Sequence, residues 1–227
     1  MVLWASDIEA LLKLKESFKD AKELDSWNLD TLPCNETNPW TGVICYKGIV
    51  YGLRLGDMGL SGSIDIFALQ EIGSLRSISF MNNSFTGPIL EFNRLGTLKA
   101  LYLSDNAFSG GIKEDYFLKM ESSKKLWMSD NKFTGPIPIS LAKLTNLKEL
   151  HLEGNQFSIP PLPALTSLNF SNNNLEGQIP TGLSKFNASS FLGNAGLYGK
   201  PLSVECKVVS PTPRESKTAY EARHLHR

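Results

Sequence analysis

Six copies of one short pattern run through the chain and leave few folds open to it. They read LRLGDM at 53–58, ISFMNN at 78–83, LYLSDN at 101–106, LWMSDN at 126–131, LHLEGN at 150–155 and LNFSNN at 168–173. Their last residues are separated by steps of 25, 23, 25, 24 and 18. Self-similarity at such a period marks a solenoid, because one unit is too small to bury its apolar side and must do so against its neighbours. Within each copy apolar residues alternate with polar ones. That period of two gives a short strand with its apolar side chains turned inward. Stacked copies then pair these strands into a parallel sheet along a concave side. The asparagine that ends most copies turns the chain outward, and its amide can bond backbone groups that would otherwise be buried without partners. Two residues later comes Leu60, Phe85, Phe108, Phe133, Phe157 or Leu175. These should stack as an apolar, mostly aromatic spine.

The pattern L-x-x-L-x-L-x-x-N-x-L and the first four steps are those of leucine-rich repeats. Net charge and length fit an elongated scaffold. The chain has 227 residues, and its 23 basic and 23 acidic side chains balance, which argues against a nucleic-acid partner. No apolar run is long enough to span a bilayer. The N-terminus lacks the apolar core of a signal peptide, so a secretion signal is expected to have been removed or replaced. Sequons at Asn35, Asn82, Asn169 and Asn187 favour an extracellular setting. The fifth repeat departs from the others: only 18 residues separate Asn155 from Asn173, with Pro160, Pro161 and Pro163 between them. The convex wall should be thin there.

After every strand but the fifth comes a second signature, LSGSI at 60–64, FTGPI at 85–89, FSGGI at 108–112, FTGPIP at 133–138 and LEGQIP at 175–180. It resembles the plant-specific leucine-rich-repeat class, which implies a second short strand per unit and a twisted, right-handed superhelix. The run WTGVIC at 40–45 is similar to the N-terminal cap of plant leucine-rich-repeat receptors, and that resemblance implies a disulfide between Cys34 and Cys45. Ahead of it, Ser6 to Glu9 fits a capping box opening a helix that carries Ile8, Leu11, Leu12 and Phe18. Residues 186–206 resemble the closing cap of the same receptors, except that Tyr198 stands where a cysteine is expected. Cys206 is thereby left as the unpaired thiol. The expected fold is thus an α/β repeat solenoid of about six repeats with a helical, disulfide-bonded N-terminal cap. The cap covers 6–47, the repeats 48–182, the C-terminal cap 183–206, and a flexible juxtamembrane linker or added tail 207–227.

Nothing catalytic is legible. No phosphate loop or protein-kinase signature occurs. Of the three histidines, His224 and His226 lie in the tail, and His151 stands at an outward strand position. No cofactor and no metal are expected. What remains is a binding surface. By register the outward side chains are Gly52, Arg54, Gly56; Ser77, Ser79, Met81; Ala100, Tyr102, Ser104; Lys125, Trp127, Ser129; Glu149, His151, Glu153; and Ser167, Asn169, Ser171. Tyr102, Trp127 and His151 hold equivalent positions and should form one ridge, flanked by Asp105, Asp130 and Glu153. Aromatic anchors with acidic neighbours suit a basic partner. The alternative contact surface is the C-terminal cap, through Tyr198, Lys200 and Glu205.

Among plant receptors the chain looks most like the pollen receptor-like kinases. The resemblance rests on residues 6–206, on DMGLSG at 57–62 and SFMNN at 79–83, on the small repeat number and on the short fifth repeat. It implies the ectodomain of a single-pass plasma-membrane protein, with its kinase and membrane helix outside this chain. The implied ligand is a secreted cysteine-rich peptide in pollen tube growth or guidance, and the acidic flank favours a basic one. Two alternatives stand beside it: a co-receptor that binds another receptor's ectodomain, and a free-standing inhibitor of a cell-wall enzyme.

Overall fold

The computed structural model describes residues 3–152, 154–158, 171, 176–179 and 181–205. An N-terminal helix, Leu3–Ser17, buries Ala10, Leu11 and Leu14. It starts upstream of the expected capping box, so Ser6 lies inside the helix. Behind it, Trp27 and Trp40 stack with ring centroids 5.7 Å apart. Burying an indole requires a partner for its N–H. Trp27 Nε1 donates to the Thr41 carbonyl and Trp40 Nε1 to Thr31 Oγ1, at 2.8 and 2.7 Å. Cys34 and Cys45 are disulfide-bonded across this cap, with Cα atoms 5.8 Å apart. The cap docks on the first repeat through Gly42, whose carbonyl accepts from Arg54 N at 2.7 Å. Gly42 has φ +74°, and a Cβ there would lie 2.5 Å from the Arg54 carbonyl oxygen. Only glycine meets both demands.

Among the described residues the concave sheet has six strands: the hairpin Val43–Tyr46 and Ile49–Arg54, then Ser77–Ser79, Ala100–Tyr102, Lys125–Trp127 and Glu149–His151. All but the hairpin pair are parallel and in register, Leu53 with Ile78, Ile78 with Leu101, Leu101 with Leu126 and Leu126 with Leu150. The convex side is built from a short helix, Ile66–Glu71, capped by Asp65, and from 3-10 turns at Phe92–Arg94, Tyr116–Lys119 and Ile139–Lys143. Between these layers lies one continuous apolar core running from Ala10 to Leu152.

Asparagines tie one repeat to the next. Asn131 Nδ2 donates to the Leu103 carbonyl of the preceding repeat and to Ser129 O of its own, both at 2.9 Å, while its Oδ1 accepts from Phe108 N at 3.0 Å. Asn83, Asn106 and Asn155 repeat the bridge to Leu55, Phe80 and Met128, and each accepts from the preceding spine residue, Leu60, Phe85 or Phe133. The first repeat carries Met58 at this position, and the unit before it is the cap, not another repeat. The spine is as expected over the described residues: Phe85, Phe108, Phe133 and Phe157 stack at centroid spacings of 6.2, 6.2 and 6.1 Å. Phe18 of the N-terminal cap joins it edge-on against Phe85.

Beside the spine, the second strands Thr86–Gly87, Ala107–Gly111, Lys132–Pro136 and Gln156–Ser158 form a parallel sheet. The corresponding segment of the first repeat, Ser61–Gly62, pairs instead with Phe18–Lys19. At the far end, Glu176–Gln178 pairs with Gly196–Tyr198 over a small core of Ile179, Leu183, Phe191 and Leu197. The proline-rich connection of the fifth repeat, Leu175 and Cys206 lie outside the described residues.

Candidate functional site

Each concave strand contributes its outward residues in register, so side chains of successive repeats sit about 4.8 Å apart. Tyr102, Trp127 and His151 come together as one row. The Tyr102 and Trp127 rings meet edge to face at 5.0 Å, and the His151 ring lies 4.7 Å from Trp127. All three are half-buried. A polar clamp fixes the row from one side: Trp127 Nε1 donates to Glu149 Oε2 at 3.2 Å, and Lys125 Nζ pairs with Glu149 Oε1 at 2.7 Å. Glu149 therefore neutralises Lys125 and orients the indole, and contributes no free charge to the flank. Burial is the main cause that raises the Tyr102 phenol above its ordinary value, ahead of the opposing effects of Lys125 and Glu149. It stays neutral and can both donate and accept.

Four of the outward positions, Gly52, Ala100, Ser104 and Ser129, do not face solvent as expected. Ser104 and Ser129 are buried; Ser129 donates to Ser104 Oγ through its own hydroxyl at 2.9 Å and through its amide at 3.1 Å. Ala100 is buried as well. These small residues flank the bulky row, and the hydroxyl pair joins adjacent strands.

The acidic flank follows from backbone geometry. Directly after each strand the chain takes a left-handed conformation, at Asp57, Asn82, Asp105 and Asp130 with φ between 50° and 61°. Aspartate and asparagine tolerate this region better than other side chains. Gly154 takes the position in the fifth repeat with φ +65°, and a Cβ there would fall 2.2 Å from Asp130 Oδ1. The Asp130 carboxylate thus packs over Gly154, and the row of acids ends at that repeat. Glu153 lies outside the described residues. Desolvation, then the like charges of Asp130 and Asp57, raises the Asp105 carboxyl above its ordinary value. A group raised in the fold destabilises it while ionised and ceases to do so once protonated. Asp105→Asn should therefore raise the thermal midpoint at pH 7, and the gain should vanish below about pH 4, where aspartate is protonated in the unfolded chain too. A gain independent of pH would contradict the like-charge account.

A shallow groove of about 680 Å³ opens on this face, lined among others by Ile44, Arg54, Asp57, Ser79, Asn82, Tyr102, Asp105 and Trp127. It includes part of the expected ridge and extends from it toward the N-terminal cap. His151 and Asp130 do not line it. The N-terminal half of the groove was legible from register alone, since Arg54 and Ser79 are outward positions, but they carry no aromatic that singles them out. Tyr198 lies on the strand paired with Glu176–Gln178, half-buried, and Lys200 and Glu205 are exposed beside it. This second group belongs to the C-terminal cap, whose strand pair is separate from the concave sheet. Of the sequons, Asn35, Asn82 and Asn187 are exposed, and Asn169 lies outside the described residues. Asn82 stands at the groove and donates to Asp57 Oδ1 at 2.5 Å. Among the described residues no helix is long and apolar enough to cross a membrane.

Comparison with known proteins identifies relatives of the chain. The family described as leucine rich repeat N-terminal domain matches residues 5–46, and leucine rich repeat families match 96–157 and 164–186. Pollen receptor-like kinase 2 of Arabidopsis thaliana is 49% identical over 206 residues, which cover 88% of this chain and 31% of that protein. The chain spans less than a third of the length of the curated pollen receptor-like kinases it matches. The crystal structure of a pollen receptor kinase 3 superposes with a TM-score of 0.65 at 41% identity, covering 87% of this chain and 99% of that one. The ectodomain of the Arabidopsis receptor kinase HAESA, solved in complex with an N-terminally extended IDA peptide hormone ligand, is 30% identical with a TM-score of 0.59, and the match covers 81% of this chain and 36% of that one.

Proposed function

From the premise that the chain belongs to the pollen receptor-like kinases, as a leucine-rich-repeat ectodomain, we propose that its concave face perceives a secreted basic peptide on the outer side of the plasma membrane, in pollen tube signalling. The observation that carries this reading is the aromatic row. Tyr102, Trp127 and His151 are held in contact on rigid strands and clamped by Glu149, so little conformational entropy is lost when a ligand covers them. Asp57 and Asp105 at the rim of the groove, with Asp130 next in the row, supply attraction and orientation for a cationic ligand. The peptide complex of the HAESA ectodomain supports the kind of partner. In the full-length protein a kinase region beyond this chain would relay the signal across the membrane.

The test is capture of cysteine-rich peptides from pistil exudate on the immobilised ectodomain, followed by affinity measurement on variants. Truncating a central tryptophan anchor costs about 2 kcal/mol or more, so Trp127→Ala should weaken the captured peptide roughly thirtyfold. Tyr198→Ala should leave it unchanged. The reverse result would move the ligand to the C-terminal cap, where Tyr198, Lys200 and Glu205 lie. Capture of another receptor's ectodomain in place of any peptide would make the chain a co-receptor.

A further inference from the structure

Opposite the acidic row, the rim where the chain enters each strand is basic. Arg76, Lys99, Lys124 and Lys148 occupy equivalent positions in four successive repeats. Their backbones are stacked directly: Lys99 N donates to Arg76 O, Lys124 N to Lys99 O and Lys148 N to Lys124 O, each at 2.7 Å. The row is therefore regular, with one cation per strand and a backbone spacing of about 4.8 Å. The three lysines are exposed, and among the described residues no carboxylate forms an ion pair with any of them. Glu149, adjacent in sequence to Lys148, is taken by Lys125. Arg76 is held on the same rim by the carbonyls of Gly73 and Leu75 and by Thr97 Oγ1. Like charges side by side on neighbouring strands repel, so this arrangement costs stability in the free protein and gains most from a ligand that brings anions at the same interval.

We propose that this row is a docking rail for a linear acidic polysaccharide, a polyuronate carrying one carboxylate on each sugar ring. Charge complementarity selects a linear polyanion, since the cations stand in one row on successive strands. A uronate chain carries one carboxylate on each stiff ring, so it loses less conformational freedom along the rail than an acidic peptide, whose backbone and side chains must both be ordered. The rail runs along the solenoid on the rim opposite the acidic row, so a polymer on it leaves the aromatic groove open. Binding should release counterions, and its affinity should fall steeply with salt.

The measurement is calorimetric titration of the folded chain with an oligogalacturonate long enough to cross four strands, at low and at physiological salt. Its fully methyl-esterified form and polyglutamate serve as comparators. The free-acid oligomer should bind, the ester should not, and polyglutamate should bind at least tenfold more weakly. The combined variant Lys99→Ser, Lys124→Ser and Lys148→Ser should lose at least tenfold in affinity. A control lacking the same net charge on the convex side, Lys113→Ser with Lys119→Ser and Lys143→Ser, should keep parental affinity, and so should Trp127→Ala. Equal losses in rail and control variants would reduce the effect to net charge and overturn the proposal. Binding of the ester, or equal binding of polyglutamate, would overturn it as well. Circular dichroism verifies that each variant folds.

Discussion

Phe108→Ala should cost about 3–5 kcal/mol of folding free energy, the range for truncating a fully buried aromatic. Phe108 is 1% exposed and lies between Phe85 and Phe133, with interplanar angles of 13° and 1° and centroids 6.2 Å away on both sides. Truncation removes two stacking contacts and opens a cavity that regularly spaced strands cannot close by collapsing. A domain of ordinary stability has only about 5–15 kcal/mol in total. Because a solenoid's stability is approximately a sum over neighbouring interfaces, damage in the middle should also uncouple the two halves. Urea unfolding followed by tryptophan fluorescence should then lose its single sharp transition, since Trp27 and Trp40 report the N-terminal half and Trp127 the other. Phe157→Ala, at the end of the described spine and half-buried, should cost less. A loss below about 1 kcal/mol for Phe108→Ala would mean that the repeats do not depend on the spine.

Asn131→Ala should cost about 3 kcal/mol, although it removes little apolar area. Asn131 is 5% exposed and serves two repeats at once. Without it the Leu103 carbonyl and the Phe108 amide lose a buried partner, and each such loss is worth about 1–3 kcal/mol. Asn131→Asp separates the two halves of the bridge. The carboxylate can still accept from Phe108 N, but it faces the Leu103 and Ser129 carbonyls, to which the amide donates. At neutral pH it should be at least as damaging as alanine. Burial and the facing carbonyls raise its pKa in the fold, so its deficit should shrink as the pH falls and a protonated acid regains a donor. Thermal unfolding of both variants between neutral and acidic pH checks this; a deficit of Asn131→Asp that grows on acidification would contradict the bridge.

These effects show where legibility in the sequence stopped. Strand register, the phenylalanine spine and the meeting of Tyr102, Trp127 and His151 followed from positions alone, because a repeat with a fixed period places equivalent residues side by side whatever the surroundings. The disulfide of Cys34 and Cys45 was legible through the resemblance of its cap. Four things came only from the tertiary structure. The helix starts at Leu3, upstream of a plausible capping box, since a cap is one local signal among several. Ser104 and Ser129 are buried, because whether an outward position sees solvent depends on the bulk of the residues beside it. Glu149 is spent on Lys125 and Trp127, and Asp130 packs over Gly154, because side-chain rotamers choose among neighbours that the sequence lists only as near. Finally, the groove runs toward Arg54 and Ile44 and not toward His151. Concavity belongs to the surface formed by several repeats together, and a pattern read one repeat at a time does not contain it.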